Sequence, residues 1–139
     1  MTTTQPAAAT HGLQISHTAI LVDDQDKALT FYTDVLGFQK KADFSNNGYR
    51  WITVQASPDG AELQLSLAQS PEAKAYQASL LAASQPAAMF YTDDVKADAE
   101  RIKAKGAEIT MPPTDVTYAW ITMVKDTAGN VVQLTQLKH

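Results

Sequence analysis

A chain of 139 residues with 45 % hydrophobic and 19 % charged residues is long enough for one globular domain with a real core. Its formal charge of −4, with no basic cluster, argues against nucleic acid or an anionic membrane as partner, and no apolar run reaches the roughly 20 residues of a membrane span. The absence of cysteine excludes disulfides, thiolate metal sites and cysteine nucleophiles.

Residues 1–12 read as a disordered tail. Met1–Thr10 is rich in Thr, Ala and Gln and lacks the basic and apolar regions of a signal peptide, which points to a cytoplasmic protein. Ile15–Val22 is apolar and β-branched and predicts a strand. Asp24 or Asp26 can cap a helix running to Leu36, where Gly37 stops it. Strands are predicted at Phe38–Phe44, Tyr49–Ala56 and Ala61–Leu67, with turns at Asn46-Asn47-Gly48 and Ser57-Pro58-Asp59-Gly60. Ser70-Pro71-Glu72 opens a helix. A second series follows: strand Ala87–Thr92, helix Val95–Lys105 capped by Asp93 or Asp94, and strands Ala107–Met111, Tyr118–Lys125 and Asn130–Leu137. Pro112-Pro113 and Asp126-Thr127-Ala128-Gly129 are its expected turns. His11 and His139 carry no assigned role.

The two series are copies. Tyr49, Trp51, Ile52, Thr53, Gly60, Gln64 and Leu65 recur 69 residues later as Tyr118, Trp120, Ile121, Thr122, Gly129, Gln133 and Leu134. Across Tyr49–Ser66 seven of eighteen positions are identical to their partners, where chance gives roughly one. The reading is an α+β domain over residues 13–137, made of two βαβββ modules in tandem, with any ligand bound between the two halves. Module 1 spans 13–70, a linker helix 71–85 and module 2 86–137.

Strand alternation then divides the side chains. Ile52, Val54, Leu63 and Leu65 pack under the helices, leaving Tyr49, Trp51, Thr53, Glu62 and Gln64 on the other face. By the repeat, Tyr118, Trp120, Thr122 and Gln133 share the second copy's open face, near Met89 and Tyr91. Large aromatic planes with a few hydrogen-bonding groups suit a small-molecule cleft. The bland alternative is the ordinary open side of an antiparallel sheet.

Residues along the whole domain resemble the vicinal oxygen chelate superfamily, which includes glyoxalase I, extradiol dioxygenases, fosfomycin resistance enzymes and bleomycin-binding proteins. The likeness is carried by His17–Asp24 as first strand, by Ala28, Phe31-Tyr32 and Val35-Leu36-Gly37-Phe38 as an "A-x-x-FY-x-x-x-LGF" helix end, and by Asp126–Asn130 as a "D-P-x-G-N" turn. The resemblance implies a curved mixed sheet around a cleft, a homodimer, and metal-ligand positions at His17, Gln64, Ala87 and Gln133. Only His17 is a strong ligand there, and a divalent ion needs about three. The expected function is therefore binding of a flat or aromatic small molecule, with no cofactor. The alternative is a metal-dependent lyase, isomerase or dioxygenase in which His17 and Glu62 hold a divalent metal or act as base. A further alternative is an interaction domain with a decayed site.

Overall fold

The computed structural model describes residues 12–138. The expected tail, apart from Gly12, lies outside the described residues, as do His11 and His139. β1 (His17–Val22) passes through Asp24, which accepts the Lys27 N–H, into α1 (Gln25–Thr30). That helix does not stay α-helical to Leu36. Phe31–Val35 form a wider π turn, closed by Gly37 at φ +88°. Phe31 and Tyr32 in this turn are both buried.

β2 (Gln39–Asn46) and β3 (Tyr49–Gln55) are joined by Asn47 and Gly48, whose φ values of +55° and +81° suit a tight hairpin. β4 (Glu62–Leu67) completes the first module. α2 (Pro71–Ala82), capped by Ser70, links it to β5 (Ala88–Tyr91), α3 (Val95–Ala104) capped by Asp94, β6 (Ile109–Asp115), β7 (Ala119–Lys125) and β8 (Val131–Leu137). One expected turn is corrected. Pro112-Pro113 does not end a strand; β6 runs through it, with a register shift between Met111 and Thr114. β6 is an edge strand, where prolines without an N–H cost least.

The paired βαβββ architecture appears as two four-stranded mixed sheets, in orders β1-β4-β3-β2 and β5-β8-β7-β6. In each, the first strand runs parallel to the last and the remaining pairs are antiparallel. The helix-facing sides of both sheets merge in one core, where Ile52, Val54 and Leu65 join Ile102, Val124 and Val132. Tyr32 links the halves, its ring 6.5 Å from that of Phe90.

The turn Asp126–Asn130 docks the second module onto the first. Asp126 is fully buried and its carboxylate accepts from Tyr32 Oη (2.7 Å), from the N–H groups of Ala128 (2.8 Å) and Asn130 (3.0 Å), and from Asn130 Nδ2 (2.8 Å). Asn130 Nδ2 also donates to the Leu21 carbonyl, and Gln77 Nε2, from α2, donates to Leu21 O and Ala128 O. One small polar knot thus ties both modules and the linker together.

Two tests follow from the knot. Gly129 sits at φ +96°, and a Cβ there would lie 2.6 Å from Gln77 Nε2. Gly129→Ala is expected to lower stability by about 2–3 kcal/mol in urea unfolding, from backbone strain plus a displaced buried amide. Gly37→Ala, with a similar φ of +88° but nothing within 4 Å of the new Cβ, should cost only about 1 kcal/mol.

The second test concerns Tyr32. Burial, then the Asp126 charge and the hydrogen bond to it, push the Tyr32 hydroxyl well above the ordinary tyrosine range. The group is raised in the folded state, so its stabilisation is complete below its unfolded pKa of about 10 and is lost as pH rises through the folded value. Stability measured from neutral pH to pH ~11 should therefore decline above about pH 10, and decline less in Tyr32→Phe.

Candidate functional site

Strand register fixes which side chains share the open face of the first sheet. Ala19 pairs with Gln64, Gln64 with Thr53, and His17 with Glu62, while Phe44 lies opposite Trp51 and Asn46 opposite Tyr49. His17, Tyr49, Trp51, Thr53, Glu62 and Gln64 therefore come together as expected. The His17 and Trp51 rings meet edge to face at 5.5 Å. His17 Nε2 lies 3.4 Å from Glu62 Oε1, which also accepts the Thr53 hydroxyl at 2.7 Å. His17 Nδ1 contacts Ser16 Oγ at 3.0 Å, and Gln64 Nε2 donates to Tyr49 Oη at 2.7 Å. Of the positions registered on this face, His17 carries the imidazole and Glu62 the one carboxylate.

The second sheet is different. Met89 pairs with Gln133 and Tyr91 with Thr135, and these in turn lie opposite Met123 and Ile121. Met89, Tyr91, Tyr118, Gln133, Thr135 and Leu137 line a shallow cavity of about 280 Å³. Met89, Tyr91, Tyr118 and Leu137 are exposed. Ile121, Met123, Thr135 and Leu137 were not among the expected site residues.

Trp120 and Thr122 are not on this face. Thr122 lies opposite Leu134, a core residue, is fully buried, and donates its hydroxyl to the Met111 carbonyl. Trp120 lies opposite Gln136, whose side chain accepts the Val95 N–H at the start of α3. Lys96 of α3 sits over the Trp120 ring at 4.6 Å, with Lys138 at 5.7 Å. The expectation that both halves present the same Trp and Thr to a cleft is thereby corrected.

The cause is one residue in a turn. Six residues, 56–61, separate the paired Gln55 and Glu62, whereas five, 126–130, separate the paired Lys125 and Val131. The 69-residue offset therefore holds for β4 and β8 but becomes 70 in β3 and β7. Trp51 matches Ile121 in space, and Trp120 matches Arg50. A slip of one residue moves every side chain to the opposite face. Arg50 also lies over its module's helix start, donating to Asp26 (2.8 Å) and to both oxygens of Asp43 (3.0 Å). That guanidinium holds the Asp43 carboxyl below its usual range. The second module replaces this ion pair with a lysine over an indole.

The exposed faces stand apart in one chain. The hydrogen bonds and ring contacts joining the modules run through the helices, the Asp126–Asn130 turn and strand ends, and among the described residues none bridges the two open faces.

Residues 14–134 match the Glyoxalase/Bleomycin resistance protein/Dioxygenase superfamily. The chain belongs to that superfamily. It is 42 % identical over 127 residues to YurT, an uncharacterised protein of Bacillus subtilis, covering 89 % of this chain and 99 % of that one. It is 28 % identical over 136 residues to a probable lactoylglutathione lyase of Vibrio cholerae, covering 91 % of this chain and 92 % of the relative. Among solved structures it resembles TnmS3, an antibiotic binding protein from a Streptomyces species, with a TM-score of 0.74 and 26 % identity over 91 % of this chain and 97 % of that one.

Within this superfamily fold the donor set for a metal is thin. Among the described residues no three His, Cys, Asp or Glu side chains converge. His17 and Glu62 are adjacent, Gln64 offers only a neutral amide whose nitrogen donates to Tyr49, and the position in module 2 that matches His17 is Ala87. Two strong donors fall short of the three or so that hold a catalytic divalent ion. No described helix is long and apolar enough to cross a membrane.

Proposed function

We propose that this protein binds a flat, aromatic small molecule on the open face around Trp51, without a resident metal. One observation carries the reading. A partly exposed indole is set among an imidazole, a phenol, an amide, a hydroxyl and a carboxylate on the open face of the first sheet. Trp51 is already partly buried, so covering what remains removes on the order of 100 Å² from water, about 2–3 kcal/mol gross, and micromolar affinity needs about 8 kcal/mol net. A second aromatic surface is therefore needed. The Met89, Tyr91, Tyr118 face is the candidate, brought opposite Trp51 by a second copy in a homodimer. The likeness to an antibiotic binding protein supports a drug-like ligand.

The test is a fluorescence titration of flat aromatic antibiotics into chelator-treated protein, with light scattering for the dimer. Micromolar quenching that is unchanged when Ni²⁺ or Zn²⁺ is restored is expected. Quenching that appears only with metal, or with no compound, would sink the reading. A lyase is the second reading, favoured by the Ser16–His17–Glu62–Thr53 chain, which has the form of an oriented general base. Formation of S-lactoylglutathione that disappears in His17→Ala would establish it.

A further inference from the structure

Glu62 is the unusual acid of this chain. Every other acid in an ion pair among the described residues has a Lys or Arg partner, as Asp43 and Asp26 have Arg50, Asp98 has Arg101 and Asp115 has Lys138. Glu62 has only His17, at 3.4 Å. Its side chain is 20 % exposed, so much of its hydration is already lost. One oxygen takes the Thr53 hydroxyl and faces the imidazole. Among the described residues the other oxygen accepts no hydrogen bond. A largely covered carboxylate with no permanent cation is costly unless something else supplies the positive charge.

The surroundings say what would fit. The Trp51 ring borders the same corner, touching His17 edge to face. An indole face beside a carboxylate attracts an organic ammonium through both the ring quadrupole and the charge. An amine offers N–H donors to the unoccupied oxygen, and its carbon neighbours pack on the ring. A bare divalent ion would gain only two strong donors here.

We infer that Glu62 and Trp51 form a subsite for a protonated amine carried by the aromatic ligand, with His17 occupying its edge when no ligand is bound. This rests on the binding reading above and adds the ligand's charge. Glu62 is the one carboxylate among the positions registered on this face, so it sets the sign of the preferred ligand. The open face of the second sheet offers no competing carboxylate at Met89, Tyr91, Gln133 or Thr135.

Matched compounds test it. Daunorubicin carries a protonated amine, and N-acetyldaunorubicin has the same rings with a neutral amide. Tryptamine and N-acetyltryptamine form a smaller pair. Calorimetric titration in the presence of chelator is expected to show the amine of a pair binding at least about tenfold tighter. The ratio should shrink as NaCl rises from about 0.05 to 0.5 M, because added salt screens a partly exposed charge. Glu62→Gln, which still accepts from Thr53, should bring the ratio to within about twofold. Glu72→Gln, the same charge change on α2, should keep the wild-type ratio. Equal binding of both members by the wild-type protein, or an amine preference retained in Glu62→Gln, overturns the inference and leaves the aromatic-ligand reading standing. Binding of neither member of either pair overturns both. If Glu62→Gln does not fold, the wild-type ratio and its salt dependence decide the matter.

Discussion

Asp126→Ala is expected to cost about 4 kcal/mol of stability. The substitution removes an acceptor that receives four hydrogen bonds, from Tyr32 Oη, Asn130 Nδ2 and two backbone N–H groups, at a site with no exposure. Each abandoned buried donor costs about 1–3 kcal/mol, and loss of one partner from a buried charged network about 3–5 kcal/mol. The penalties do not add fully, because the emptied space can admit water. Tyr32→Phe deletes one donor while leaving three others on the carboxylate, so about 1.5 kcal/mol is expected. Urea unfolding of the two variants separates these cases. Similar small losses in both would show that the Asp126 knot does not hold the modules together. The knot also predicts where unfolding begins. With Asp126 gone, the Asp23 N–H to Ala128 carbonyl bond and the Asn130 to Leu21 contact lose their anchor. Amide exchange should then rise first along this seam.

Trp51→Ala and Trp120→Ala are expected to part company, although the two residues are aligned partners in the repeat. Trp51 stands on the open face against His17. Its loss should weaken aromatic ligands by about 100-fold, near 3 kcal/mol, the size of a binding hot spot, with stability changed by less than about 1 kcal/mol. Trp120 packs on the core beneath Lys96. Its loss should cost about 2–4 kcal/mol of folding stability and leave affinity within about twofold. Parallel calorimetric titrations and melts of the two variants read out both quantities. Loss of binding in Trp120→Ala at full ligand-free stability would mean that the second sheet presents its tryptophan to the ligand after all, contrary to the pairing of β7 with β8.

Much of the site was legible in the sequence. Alternation in Tyr49–Gln55 and Glu62–Leu67 correctly separates Ile52, Val54, Leu63 and Leu65 from Trp51, Thr53 and Gln64, because a strand with one buried face leaves a period of two in its residues. Ser70 is read as a cap, and the caps Asp24 and Asp94 are each one of the two acids the sequence offers, since the short polar side chain that accepts a helix N–H is a local device but does not by itself say which of two neighbours accepts. The second module misled for an equally physical reason. The residues Tyr-x-Trp-Ile-Thr recur, yet the hairpin that follows is one residue shorter, and register is set by the turn as well as by the strand. Comparing the apolar alternation of Val124, Val132 and Leu134 with that of Val54, Leu63 and Leu65, rather than matching identical letters, would have exposed the slip.

The sequence by itself determined the duplication, the α+β modules, the superfamily's motifs and the polar aromatic face of the first sheet. All of these depend on local periodicity, caps and turns. Tertiary structure decided what depends on contacts between distant segments. It set Glu62 beside His17 through the parallel pairing of β1 with β4 and turned Trp120 toward α3. It also buried Asp126 at the junction of the modules and left the two open faces apart within one chain. Strand order and register are settled by packing of the whole core, so a motif can keep its letters while the fold changes the direction in which they point.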